Sequence, residues 1–417
     1  MKIFKNKKRK YIIITSLVST FVVIGLIITY YNSILKEEPL IGAYINGIYS
    51  ETLPSKSNGY AVEKIVCDSN KNASWDYNKW GIKLSDWRTR SRCNIYFKSL
   101  ESFTLANKTF YLDEAQRCPT MNSDGTVMVT GVEDTYGYLC KAKDAYGDSY
   151  YYRGNVTDNY VLFAGKYWRI IRYNGDGTVR VIYDGTSAHA NGDESTDRQI
   201  GTTRFNSSHN DNAHVGYMYG QTGASTYAET HANTNNSTIK TYLDTWYENN
   251  IKGTSNEQYV KDNLFCNDRS FAPNNSGTGA GISSTYYRWH NFANNSNNNK
   301  MMLTCPQKND AFTVNDTGNG NGALTYGVGL VTTDETVLAG GWSSSNSKYY
   351  LHSGQFYWTM SPNYFSGSYA YERHVLSEGY AHGGYNMGYN FGARPVLNLS
   401  SDVLKNGNGT ASDPYHA

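Results

Sequence analysis

The chain is 417 residues long and carries 38 Lys and Arg against 36 Asp and Glu, a formal net charge of +2. The first ten residues hold six of those cations and no acid, so the rest of the sequence is mildly acidic, which excludes the basic footprint of a nucleic-acid-binding protein. An aromatic content of 14%, with 38 tyrosines, excludes a disordered chain.

At the N-terminus, Lys2, Lys5, Lys7, Lys8, Arg9 and Lys10 precede an uncharged stretch from Tyr11 to Tyr31. A helix of that length spans ~30 Å, about one hydrocarbon core, and its terminal tyrosines suit the headgroup layer. The expectation is a cytoplasmic tail (1–10), a transmembrane helix (11–31) and a juxtamembrane linker (32–40). The Lys/Arg asymmetry puts the rest outside the cytoplasm, a single-pass protein of the cell membrane.

Residues 41–98 read as a small β module. Tyr60–Cys67 and Cys93–Phe97 are strand-like, polar turns separate them, and Trp75, Trp80 and Trp87 are available for a core. Residues 99–155 read as a connector. Residues 156–417 form the main domain, which starts with a three-stranded meander: Tyr160–Phe163, Tyr167–Ile171 and Val179–Tyr183, joined at Ala164-Gly165-Lys166 and Asn174–Gly177. A polar stretch, 186–235, has little periodicity. The spacing of Ile239, Tyr242, Leu243, Trp246 and Tyr247 then predicts a helix over 237–252, capped by Asn236 or Ser237 and stopped by Gly253. A second short helix is expected over 256–265, and Thr332-x-x-Glu335 reads as a capping box. The segments 356–360, 370–376 and 393–399 are again strand-like. Strands, then helices and loops, then strands make the expected class α+β.

The six cysteines, Cys67, Cys93, Cys118, Cys140, Cys266 and Cys305, all follow the apolar stretch, and none forms a C-x-x-C pair. Spacing does not settle their pairing. A nearest-neighbour scheme gives each region one bridge, and reduced buried cysteines are the alternative.

Residues 133–417 resemble a family of bacterial surface proteins in the stretches YGDSYYYRGNVTDNYVLFAGKYWRIIRYNGDGTVRVIYDG, FCNDRS, LTCPQKNDAFTV, YGVGLVTTDETVLAGG, FYWTMSP, GARPVLNL and GNGTASDPY. Segment 41–98 is similar to a module that often precedes them. The WRI hairpin and the terminal RPVLNL strand also resemble the C-type-lectin-like fold of sulfatase-modifying factors and retroelement-diversified binding proteins. These resemblances imply a surface location and a lectin-like main domain, but no activity. Where calcium-dependent lectins carry a carboxylate, this chain has Ser361-Pro362-Asn363, so calcium-mediated sugar binding is not expected, and no metal ligand or cofactor is assigned. The reactive late cysteines of formylglycine-generating enzymes are missing.

No G-x-S-x-G, H-E-x-x-H or P-loop motif occurs. Ser237-x-x-Lys240 and Ser345-x-x-Lys348 mimic a serine–lysine nucleophile without its companion motif. Asp244/Glu248 and Asp334/Glu335 read as helix-surface and cap chemistry. The aromatic-rich stretch between Trp358 and Arg394 points instead to binding. Tyr364, Tyr369, Tyr371, Arg373, His374, His382, Tyr385 and Tyr389 are the expected ligand face, with Trp168, Trp358 and Arg394 as structural residues. The expected function is a membrane-tethered surface protein recognising a glycan or a protein. The alternatives are a degenerate sulfatase-modifying-factor-like enzyme and a structural envelope protein.

Overall fold

The computed structural model describes residues 41–55, 58–68, 73–77, 79–84, 92–113, 117–273, 277–290 and 300–417. The chain divides into two compact units, Met1–Leu100 and Glu101–Ala417.

In the smaller unit, four strands lie in the order Ile48–Ser50, Ile41–Ile45, Cys93–Ser99, Tyr60–Cys67. Asn46 and Gly47, both at positive φ (49° and 83°), turn the first hairpin, the conformation that an Asn-Gly pair adopts most readily. Ile41–Ile45 then runs parallel to Cys93–Ser99, which is antiparallel to Tyr60–Cys67. Cys67 and Cys93 are register partners and form a disulfide. Ala43, Ile95 and Phe97 are buried, and Trp75 and Trp80 pack beside them edge to face. The third tryptophan assigned to this core, Trp87, lies outside the described residues.

The larger unit is built on two main sheets. The first runs Gly137–Asp144, Gly147–Gly154, Lys166–Tyr173, Val179–Gly185, Val396–Leu399, Val328–Gly329, with Tyr160–Phe163 also paired to Lys166–Tyr173. The stretch read as a connector therefore supplies two of its strands. Ala164 and Gly165 (φ 51° and 68°) make the tight turn of the WRI hairpin. Trp168 is fully buried, its indole N–H donating to Phe163 O at 3.0 Å. The second sheet runs Thr202–Arg204, Asn390–Gly392, Tyr357–Phe365, Ala370–Val375, Ala381–His382, with Thr285–Tyr286 also paired to Tyr357–Phe365. Disulfides join Cys118 to Cys140 and Cys266 to Cys305, so all three bridges join nearest neighbours.

Several expectations are corrected. The described residues are predominantly β, not α+β, with three α-helices of 4, 13 and 6 residues, and the lectin-like assignment made within that class falls with it. Among the described residues, only one segment has an apolar stripe long enough to sustain a helix: Thr238–Asn250, capped by the Ser237 side chain on Lys240 N–H. The second expected helix is a 3-10 turn, Glu257–Tyr259, followed by the short strand Phe265–Cys266. Asn, Asp, Ser and Gly dominate the remaining polar stretches. The Asn, Asp and Ser side chains bond the nearby backbone, as Asp211 does to Ala213 N–H and Asp268 to Ser270 N–H, and such bonds compete with helix. The expected transmembrane helix, and the single-pass cell-membrane location inferred from it, find no support among the described residues. No helix among the described residues is long and apolar enough to cross a membrane. The stretch 11–31, with its flanks 1–10 and 32–40, lies outside the described residues.

Candidate functional site

The expected ligand face centres on Ala370–Val375, which pairs antiparallel with Tyr357–Phe365 on one side and Ala381–His382 on the other. Side chains along a strand alternate between faces, so Tyr371 and His374, three residues apart, leave the sheet on opposite sides. Their ring partners are accordingly different. Tyr371 stacks on Tyr364 with centroids 4.1 Å apart, and Tyr364 lies 5.0 Å from His290. His374 faces Trp358, Phe391, Tyr385 and His382. Tyr369 stands apart from both, stacked on His209 at 5.5 Å. The eight residues therefore do not form one surface.

Two of them, Arg373 and His374, face the interior. Arg373 is 7% exposed, its guanidinium 6.0 Å from the Trp289 ring and bonded to Ala381 O. Burial lowers its pKa to about 10, and a guanidinium so placed is no free fork for a ligand. His374 is fully buried, and burial pushes its pKa down to about 3. His382 is half-buried and also shifted down, by burial and by the Arg373 charge. Among the other group, burial raises the Tyr364 hydroxyl and its Tyr371 neighbour adds to the effect.

The most exposed rings among the expected residues are Tyr369, Tyr385 and Tyr389, at 47%, 37% and 48%. Tyr385 and Tyr389 meet edge to face, centroids 5.1 Å apart at 64°, so they form a corner. Beneath the corner lies Phe391, 5.6 Å from Tyr385 and 6.1 Å from Tyr389, and Phe356 stacks on Phe391 at 5.1 Å. His382 closes one side, 5.8 Å from Tyr385. Buried Trp358 fixes the floor, 4.7 Å from Phe391, its indole N–H bonded to Thr203 O. Phe356 is the member that sequence reasoning missed. It belongs to the same aromatic run as Trp358, and its place at the start of the strand was the available signal.

A second concavity has no local signature in the sequence. A cleft of about 440 Å³ is lined by Asp134, Glu194, Ser345, Lys348, His352 and Glu378, from well-separated parts of the chain. Burial lowers the His352 pKa, and its Nε2 is bonded to Ser377 O at 2.9 Å.

The serine–lysine match has a structural role. Ser237 Oγ donates to Tyr217 O and accepts from Lys240 N–H, while Lys240 Nζ pairs with Asp244 at 2.6 Å. All six cysteines are in disulfides. No group of three or more His, Cys, Asp or Glu among the described residues could hold a metal ion. The strongest charge clusters are buried counter-ion sets. Asp184 pairs with Arg198 (2.7 Å) and Arg394 (2.9 Å), and Glu335 with Arg172 (3.1 Å) and Arg180 (2.5 Å). Asp310 pairs with Arg269, and Arg288 bridges Asp268 and Asp334. Asp334 and Glu335 are thus interior groups, although Glu335 also completes the capping box with Thr332. Arg394 is buried and locks Tyr183 O and Leu351 O to Asp184. In the comparisons with known proteins, no protein-family model, no curated protein and no solved structure matches this chain.

Proposed function

We propose that the larger unit is a binding module and that the Tyr385–Tyr389 corner, with Phe356, Phe391 and His382, is its recognition site. The observation that carries this reading is the exposure of two tyrosines over a buried aromatic floor on a sheet. Exposed rings on a rigid support offer contact area at low entropic cost, since two torsions position each ring. A glycan suits a corner better than a flat protein surface does. A sugar ring presents an apolar C–H face to one ring and edge hydroxyls to the phenolic oxygens and the imidazole of the other side. The enzymatic alternative has less support, because Ser237, Lys240 and every cysteine are engaged in structural bonds.

The test is binding of the oxidised full chain to glycan and protein arrays, beside Tyr385→Ser/Tyr389→Ser and a Tyr369→Ser control. Aromatic anchors of this kind contribute about 2 kcal/mol or more, so the double variant should lose at least about 30-fold in affinity while the control keeps it. Equal losses in both would move the site away from the corner. Binding to protein probes alone would replace the glycan with a protein partner.

A further inference from the structure

His374 and His382 are register partners on neighbouring strands, and their facing nitrogens, His374 Nε2 and His382 Nδ1, are 3.2 Å apart. Their other contacts restrict where protons can sit. His374 Nδ1 lies 3.2 Å from Glu372 O, and a carbonyl only accepts, so a hydrogen bond there needs the proton on Nδ1. The backbone N–H of Gly384 donates to His382 Nδ1 at 3.1 Å, so that nitrogen presents a lone pair. A neutral His374 has one proton. If it sits on Nδ1, two lone pairs face each other at 3.2 Å. If it moves to Nε2, the repulsion moves to the contact with Glu372 O. A second proton on His374 would satisfy all three contacts, but it would place a charge on a fully buried ring. With both rings neutral, one of the three contacts is left without its proton.

We infer that His374 Nε2 and His382 Nδ1 form a two-imidazole site for a borderline transition-metal dication, Zn²⁺, Ni²⁺ or Cu²⁺. The spacing fits. With metal–nitrogen bonds of about 2.05 Å, a separation of 3.2 Å subtends about 103° at the metal, close to tetrahedral. Neutral imidazole is the ligating form, and such ligands select these ions over calcium or magnesium. The charged groups acting on the pair are Arg373 and Glu378, of opposite sign. Metal binding takes the His382 lone pair from Gly384 N–H, which is exposed and passes to water. No third His, Cys, Asp or Glu among the described residues completes the site, so the remaining positions belong to water or to donor atoms of a bound ligand. His382 adjoins Tyr385, 5.8 Å away between ring centroids, so those open positions lie beside the aromatic corner.

The experiment uses the oxidised full chain, freed of metal by chelator and titrated with Zn²⁺ by calorimetry and with Cu²⁺ by electron paramagnetic resonance. No glycan is present, so failure here leaves the aromatic-corner reading standing, and failure of the arrays leaves this one. The expected result is one saturable site with two-nitrogen imidazole coupling. His382→Gln should weaken it by at least about tenfold, as loss of a ligand costs no less than loss of a ligand's supporting partner. Since His374 is buried and His374→Gln can fail to fold, His382→Gln is the deciding variant and circular dichroism checks its fold. Absence of saturable binding, or binding that His382→Gln leaves unchanged, overturns the proposal.

Discussion

The two units are held together in different ways. Among the described residues, the smaller has a buried apolar cluster of three side chains, Ala43, Ile95 and Phe97, and leaves Ile48, Tyr49 and Val66 exposed at 74%, 60% and 49%. The larger encloses whole tryptophans and arginines, among them Trp168, Trp289, Trp358, Arg169, Arg180, Arg269 and Arg394. The contrast follows from surface-to-volume scaling: a small module buries a smaller fraction of its surface and leans on a covalent staple. A large interior can take up charges, and then depends on keeping each one paired. The two units should therefore fail by different routes.

The largest effect should come from the paired interior. Asp184→Asn removes the counter-charge of Arg198 and Arg394, all three side chains fully buried. Breaking such a set costs about 3–5 kcal/mol. Calorimetry should show the larger unit's transition falling sharply and the smaller unit's unmoved. Next comes the staple. Removing the Cys67–Cys93 bridge, with its sequence separation of 26, costs about 3.5 kcal/mol in the chain-entropy model. Removing Cys266–Cys305, separation 39, costs about 4 kcal/mol. Despite the similar losses, limited proteolysis should find the smaller unit opened in the first variant and the larger unit still folded in the second.

A third change should stabilise. Glu372 is fully buried, neither carboxyl oxygen has a hydrogen-bond partner, and burial raises its pKa well above the ordinary value. Below the unfolded pKa of about 4.3 the group is neutral in both states and adds no pH dependence. As pH rises past that value, the unfolded chain releases the proton while the folded chain holds it, so wild-type stability falls with rising pH. Glu372→Leu should gain about 1–3 kcal/mol at pH 7. That gain should shrink as denaturation is repeated towards pH 4, and a pH-independent gain would refute the account. The smallest effect on stability belongs to Tyr385→Ser/Tyr389→Ser, exposed positions whose replacement should stay within about 0.5 kcal/mol while ligand affinity is lost.

Local signals in the sequence carried the hairpins and the main helix. Ala164-Gly165, Asn174–Gly177 and Ser237 act within a few residues of themselves, and the structure uses each as a turn or a cap. The expected helix at 256–265 failed because its apolar residues are drawn into strand pairing with distant segments, as Phe265 is with Phe312. The candidate site was legible only in part. Tyr385 and Tyr389 sit in one aromatic-rich stretch, and composition alone marks it. The burial of Arg373 under Trp289, and the assembly of the acidic cleft, depend on contacts between residues far apart in the chain. The facing nitrogens of His374 and His382 follow from a strand of two residues, Ala381–His382, too short to be read from any pattern.

The parallel pairing of Ile41–Ile45 with Cys93–Ser99 has a mechanical consequence. These strands are the first and last described strands of the smaller unit, and they point the same way. Tension applied between residue 41 and residue 100 pulls one strand by its start and the other by its end, so the two slide lengthwise past each other. The five register pairs from Ile41↔Cys93 to Ile45↔Phe97 are then loaded together, whereas an antiparallel pair pulled from adjacent ends opens one bond at a time. The smaller unit is shaped to resist stretching along its length.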